Sequence, residues 1–331
     1  MVVSDKVSVV ATVLNERPSL ALWLVGIESQ TRRPDELVIV DGGSTDWTWE
    51  ALNERKWRVP VVLLRLPGAS ISAGRNAAIA AATHDVIAVT DAGTVAHPEW
   101  LNRLITTLVV SGADVASGFF VPQLSGKWQR ALAATTLPEA AEINAHRFQP
   151  SSRSMALRRA WWRAGVRYPE WLDYCEDLVW DMAMRQAGAR FVFVPEATVT
   201  FNVRESLSAY VKQYFRYARG DGKAGLFPLR HLIRYSTYAF GTSLLARRTR
   251  RTGIVVGALA LLYVRAPLRR LRVRDTALGL TPIESVRLVP LVIGLRAVGD
   301  VAKMCGYPVG IAWRLRHYSS VKSWSTWKRI R

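Results

Sequence analysis

From residue 7 onward the chain alternates short apolar, β-branched runs with longer stretches in which apolar positions recur every three or four residues. Residues 7–13, 37–40, 61–66 and 86–90 read as strands. Between them Leu20, Leu24 and Ile27 fall at helical spacing, and the alanine-rich segment 75–82 favours helix. Alternation of this kind predicts an α/β fold, a Rossmann-like, mostly parallel sheet sandwiched by helices. Further along, residues 176–187 predict a helix stopped by Gly188, a strand follows over 190–194, and Ser206 is placed to cap a helix carrying Tyr210, Tyr214 and Tyr217. Ligands of parallel sheets collect at the carboxyl ends of the strands. Asn15 and Glu16 follow the first strand, Asp41 to Asp46 the second and Asp91 the strand at 86–90, so three polar loops are expected to converge on one crevice.

The C-terminal third has a different texture. Four uncharged runs, 235–246, 252–264, 288–295 and 304–313, are separated by arginines. The longest has 13 residues, a helix of about 20 Å, whereas crossing the hydrocarbon core takes about 30 Å. A transmembrane helix is therefore not expected. Apolar runs flanked by Arg247, Arg248, Arg250, Arg251 and Arg265, with Trp313, Trp324 and Trp327 near the end, suit helices that lie in the headgroup zone of a bilayer. The predicted organisation is a domain over residues 1–225 and a basic, apolar helical region over 226–331.

Charge supports that division. The formal net charge is +19; residues 1–204 carry 21 basic and 21 acidic side chains, and residues 205–331 carry 24 basic and 5 acidic ones. All of the excess lies in the tail, which implies an anionic partner surface, phospholipid headgroups or nucleic acid. No helix-turn-helix, zinc-finger or RNA-recognition pattern occurs there, so nucleic acid is not expected. Cys175 and Cys305, far apart and without metal-ligand spacing, predict neither a disulfide framework nor a zinc site. Met1 to Lys6 lacks the pattern of a signal peptide, and a cytoplasmic location is expected.

Five segments occur in a fixed order: VSVVATVLNE at 7–16, ELVIVDGGSTDWT at 36–48, GASISAGRNAAI at 68–79, VIAVTDAGT at 86–94 and CEDLVWDMAMRQAGARFVFVPEA at 175–197. The series resembles the family 2 inverting glycosyltransferases, nucleotide-sugar-dependent enzymes of GT-A fold, over roughly residues 7–225. The resemblance implies that Asp41, Thr12, Leu14 and Arg75 receive the nucleobase. It places Asn15, Glu16, Gly43, Ser44, Asn76 and Asp91 elsewhere around the donor. Gly42 and Gly43 would let the backbone approach the ligand, and Ser44 to Asp46 would cap the following helix.

In the family Asp91 is the first acid of an Asp-x-Asp pattern that holds the donor ribose and a divalent cation on the diphosphate. Here the pattern reads Asp91, Ala92, Gly93, so Mg²⁺ or Mn²⁺ is expected with one acid missing. Glu176 and Asp177 open a helix; by resemblance Asp177 is the general base, with Glu176 beside it. Gln213, Arg216 and Tyr217 are similar to the Gln-x-x-Arg-Trp pattern of processive synthases with Tyr in place of Trp, and Arg219 follows closely, implying acceptor or diphosphate contacts. Processive polymerisation itself is not expected without long transmembrane helices. These features together imply transfer of a sugar to a lipid-linked or cell-envelope glycan acceptor at the cytoplasmic face of a membrane. The competing readings are a sugar-phosphate nucleotidyltransferase, whose glycine-rich basic opening is absent after the first strand, and a nucleic-acid-binding protein acting through its tail.

Overall fold

A computed structural model describes residues 5–247 and 249–317; Arg248, Trp324 and Trp327 of the tail reading lie outside the described residues. In chain order the elements are β1 (Val7–Val13), α1 (Arg17–Glu28), β2 (Glu36–Asp41), α2 (Thr48–Asn53), β3 (Val61–Arg65), α3 (Ile71–Ala81), β4 (Val86–Val89), β5 (Thr94–Ala96), α4 (Trp100–Ser111), β6 (Val115–Pro122), α5 (Lys127–Thr136), β7 (Met155–Arg158), α6 (Ala160–Arg163), α7 (Glu176–Gln186) and β8 (Phe191–Phe201). The helices α8 (Leu207–Ala224), α9 (Pro228–Ala246), α10 (Arg250–Ala277), α11 (Pro282–Val286) and α12 (Val289–His317) complete it. The chain forms two compact units, one of residues 5–121 and 143–202, the other of residues 122–142 and the helices from 203 onward.

The first unit is built on an eight-stranded sheet ordered β3-β2-β1-β4-β7-β6-β8-β5. Its β3-β2-β1-β4 half is parallel. The other half departs from the expected mostly parallel sheet, because β7 runs antiparallel to both β4 and β6, and β5 antiparallel to β8. A strand buried on both faces has the same apolar run whichever way its neighbour points, so its pattern does not encode direction. Alternate residues of β1 serve opposite layers: Val7, Val9, Ala11 and Val13 join Trp23 and Trp100 of α1 and α4, while Val10 joins Ile79 and Trp180 of α3 and α7. Both layers are closed to water, and polar ligands can reach the sheet only at its ends.

The second unit is helical, and its boundary differs from the expected break at 225. Helix α8 and the 122–142 excursion belong with the C-terminal helices. Close packing is the reason: a Cβ added at Gly306 of α12 would collide with the Phe215 carbonyl of α8, and one at Gly310 with that of Arg219. Glycine at these positions lets the two backbones touch. The excursion is held by Arg130 of α5, whose guanidinium makes a two-pronged ion pair with Asp275 of α10 at 2.8 and 2.7 Å, both groups buried.

Candidate active site

Because β2, β1 and β4 are parallel neighbours, the turns that leave their carboxyl ends share one sheet edge. Those turns are tied together by side chains. Asn15, in the left-handed region at φ 57°, donates its backbone N–H to the Ser44 hydroxyl at 2.9 Å and accepts the Thr45 N–H on Oδ1 at 2.9 Å. Glu16 N–H donates to the Thr48 hydroxyl at 3.0 Å, and Arg17 N–H to Asp46 at 3.0 Å. Ser44 is thus used away from the next helix it was expected to cap, whereas Asp46 does reach that helix, its Oδ1 accepting the N–H of Thr48 at 3.1 Å. Helix α2 begins after Trp47, itself left-handed and making no capping bond with its own side chain, and has only six residues.

Asp41 lies at the end of β2 with no solvent exposure. Its Oδ1 accepts the N–H groups of Gly43 and Ser44 at 2.8 and 2.9 Å. Its Oδ2 is buried with no hydrogen-bond partner among the described residues. Buried acceptors are almost always paired, so this oxygen fits a donor brought by a ligand. Gly43, at φ +100°, could carry no side chain without meeting Pro67 at 3.0 Å. Leu14 stands half exposed at the end of β1 as an apolar wall, and Thr12 packs its methyl against the space left by Gly74 of α3.

Arg75 joins the sheet edge to α7. Its buried guanidinium donates to Asp91 Oδ1 at 2.8 Å and to Glu176 Oε1 at 2.8 Å. It lies over the Tyr168 ring at 5.4 Å, and that ring stacks on Trp180 at 4.0 Å. Two carboxylates raise the guanidinium pKa further above its already high value despite burial. Arg75, expected at the nucleobase, thus links the turn after β4 to the first turn of α7. Asn76, also expected at the donor, is committed elsewhere: Oδ1 accepts the N–H groups of Tyr168 and Trp162, and Nδ2 donates to the Tyr168 carbonyl and to Glu170. It fixes the aromatic floor on which Arg75 rests.

Three carboxyls line the first turns of α7. Glu176 is buried, and desolvation, reinforced by the Asp177 charge, pushes its pKa up to about 7 against the opposing pull of Arg75. Asp181, one turn beyond Asp177, is fully buried with neither oxygen hydrogen-bonded, and burial raises its pKa well above the usual range. Asp177 retains solvent contact and accepts the Leu178 N–H at 2.8 Å. Among the three it is the carboxyl that solvent reaches.

Arg153 and Asp181 were not signalled by the sequence. Arg153 places Nε 3.4 Å from Asp91 Oδ2 and lies over Phe120 and Phe201 at 5.6 and 5.0 Å, held by a loop without recognisable spacing. Asp181 was legible only as an acid out of place on the apolar face that holds Trp180 and Met184.

Among the described residues no three His, Cys, Asp or Glu side chains assemble into a metal site. The oxygen donors present nevertheless suit a hard cation. Asp91 Oδ2 faces Arg153 at a distance well beyond the usual charge-assisted hydrogen bond, and a Cβ at Gly93 would stand 3.7 and 4.0 Å from the two carboxylate oxygens of Glu16. Gln213, Arg216, Tyr217 and Arg219 lie on α8 in the second unit. There Gln213 donates to the Tyr217 hydroxyl at 2.7 Å, while Tyr210 is buried and donates to the Leu295 carbonyl.

Residues 8–163 match the family model "Glycosyl transferase family 2". The chain carries a family 2 glycosyltransferase domain. Over 115 residues it is 33% identical to the dolichol-phosphate mannosyltransferase of Pyrococcus furiosus, a match that spans 34% of this chain and 32% of that protein. The mannosyltransferase PcManGT from Pyrobaculum calidifontis, solved with GDP-Man and Mn²⁺, superposes with a TM-score of 0.55 at 17% identity, covering 95% of this chain and 87% of that one. S. aureus TarS 1–349 gives a TM-score of 0.51 at 16% identity over 94% and 92% of the two chains. Its complex with UDP-GlcNAc gives 0.52 at 13% identity over 95% and 92%. At such identities the likeness is one of fold, and it makes the mixed sheet of the glycosyltransferase domain GT-A-like.

The buried Glu176 gives this domain a pH signature. The native state holds the Glu176 proton more tightly than the unfolded chain, so its contribution to stability is complete below the ordinary value of 4.5 and is lost as pH rises through about 7. The melting temperature of wild type should therefore fall across that window relative to Glu176→Gln. Parallel melting curves for the two proteins from pH 4.5 to 7.5 would contradict the assignment.

Proposed function

We propose that the protein is an inverting glycosyltransferase that moves a sugar from a nucleotide-sugar donor to a lipid-linked or cell-envelope glycan acceptor, with Asp177 as general base. One observation carries the reading: Arg75 holds Asp91, at the donor edge of the sheet, and Glu176, next to Asp177, in a single buried ion-pair cluster. Asp41 offers its unpartnered oxygen to a nucleobase N–H, and Leu14 and Thr12 wall the base. Asp91 and Arg153 face the ribose and diphosphate. The acceptor hydroxyl gives its proton to Asp177 as its oxygen bonds the anomeric carbon. The bond from that carbon to the diphosphate breaks on the opposite face, so configuration inverts. Asp91 would hold Mg²⁺ or Mn²⁺, which when bound offsets diphosphate charge.

The solved relatives that bind UDP, UDP-GlcNAc or GDP-Man support a donor of this class. Asp177→Asn should bind nucleotide sugar as wild type does, measured by thermal shift, while its transfer rate falls by about 100-fold or more. Unchanged turnover would remove Asp177 as the base.

The acceptor part of the proposal rests on α9 and α10. No described helix is long and apolar enough to cross a membrane. Yet His231 is the sole buried residue of α9, and none of residues 250–263 of α10 is buried. Ile254, Leu261 and Leu262 are more than 60% exposed. A helix segment apolar on all sides is not stable facing water alone. With Arg247, Arg250, Arg251 and Arg265 at its ends, it matches an anionic bilayer at the cytoplasmic face, lying in the plane so that the guanidiniums reach headgroups. Each such arginine contributes about 1 kcal/mol at an anionic surface. The full chain should float with vesicles containing phosphatidylserine. Ile254→Glu/Leu261→Glu/Leu262→Glu should stay at the bottom of the gradient with its melting temperature unchanged. Equal flotation by both would contradict the membrane reading.

A further inference from the structure

The cation that the glycosyl-transfer reading calls for lacks one acid of its expected pair, and the structure offers another in its place. Glycine at 93 leaves a space whose border is Glu16: an added Cβ would meet only Glu16 Oε2 at 3.7 Å and Oε1 at 4.0 Å. Topology makes this meeting possible. Glu16 lies just past β1 and Gly93 just past β4, and those strands are parallel neighbours. The Glu16 carboxylate does not cap α1; the backbone carbonyl of the same residue opens that helix by accepting the Ser19 and Leu20 N–H groups at 3.0 and 2.8 Å. The side chain is directed across the sheet edge instead, where its Oε2 also accepts the Ser19 hydroxyl.

We propose that Glu16 replaces the missing second acid, so that a divalent cation is held by carboxylates from two strand ends, Asp91 after β4 and Glu16 after β1. Carboxylate oxygens plus diphosphate and water oxygens are the ligand set that Mg²⁺ and Mn²⁺ favour. The change of strand has a consequence. Glu16 sits between Asn15 and Arg17, which are tied to Ser44, Thr45 and Asp46 of the turn after Asp41. Cation binding and the nucleobase turn are thereby coupled through backbone hydrogen bonds, whereas a ligand at position 93 would be independent of that turn.

The inference rests on the glycosyl-transfer reading, but its test does not. Mn²⁺ binding is followed by electron paramagnetic resonance on the full chain, with Mn²⁺ alone and with UDP or GDP added. Glu16→Gln keeps the side-chain shape and the Ser19 contact and should weaken Mn²⁺ binding by about tenfold or more. Gly93→Asp in the same background should restore it. Gly93 is not in the left-handed region and its Cβ would meet only ordinary contacts, so the aspartate can be accommodated without strain. Equal Mn²⁺ affinity of wild type and Glu16→Gln overturns the proposal. So does wild-type donor turnover that is unchanged by EDTA, which leaves the transferase reading intact. Glu16-dependent Mn²⁺ binding by a protein that turns over no nucleotide sugar supports the cation site and overturns the transferase reading.

Discussion

A guanidinium removed from water must be neutralised by carboxylates, and Arg75 takes its two from segments 85 residues apart in the chain, Asp91 and Glu176. Much of the site follows from that constraint. Once Arg75 is buried on α3 beneath the sheet edge, the turn after β4 and the first turn of α7 have to meet it. The aromatic floor of Tyr168 and Trp180 excludes water, which strengthens both ion pairs and raises the cost of losing either partner. Asn76 keeps the floor in register by satisfying the Tyr168 backbone on both sides.

The same desolvation sorts the acids of α7. Burial raises the Glu176 pKa to about 7, so that it faces Arg75 as a carboxylate only above that value, and raises that of Asp181 as well, while Asp177 lies between them with access to solvent. One helix therefore presents three carboxyls in different environments, which sets their proton affinities apart. At the opposite side of the crevice the turns after β1 and β2 are braced to each other, so nucleobase and diphosphate groups would be received by a single stiff edge. That rigidity matters because a fixed geometry lowers the entropic cost of reaction and keeps polar groups preorganised.

Much of this was legible in the residues. The apolar run 7–13 coincides with β1, the acid pair at 176 opens α7 as its position implied, and Ser206 caps α8 through the Ala209 N–H. Identity was easier to read than geometry. Arg75 and Asn76 were found by resemblance, but their burial under the site depends on Tyr168, 92 residues away from Asn76. Strand direction beyond β4 was not encoded by periodicity. The affiliation of α5 with the second unit was hidden because its anchor, the Arg130–Asp275 pair, spans 145 residues. Long-range ion pairs leave no local spacing, so sequence pattern alone does not reveal them.

The most direct test is a double-mutant cycle in urea on Arg75→Met and Glu176→Gln, with donor binding followed on the same proteins. A buried ion pair broken on one side typically costs about 3 to 5 kcal/mol, and residues in one network show coupling of about 0.5 to 3 kcal/mol. The account predicts that Arg75→Met is strongly destabilising, that adding Glu176→Gln recovers part of the loss, and that donor affinity falls with Arg75. Strictly additive effects with undiminished donor binding would contradict it, because the two halves of the site would then be held together by something else.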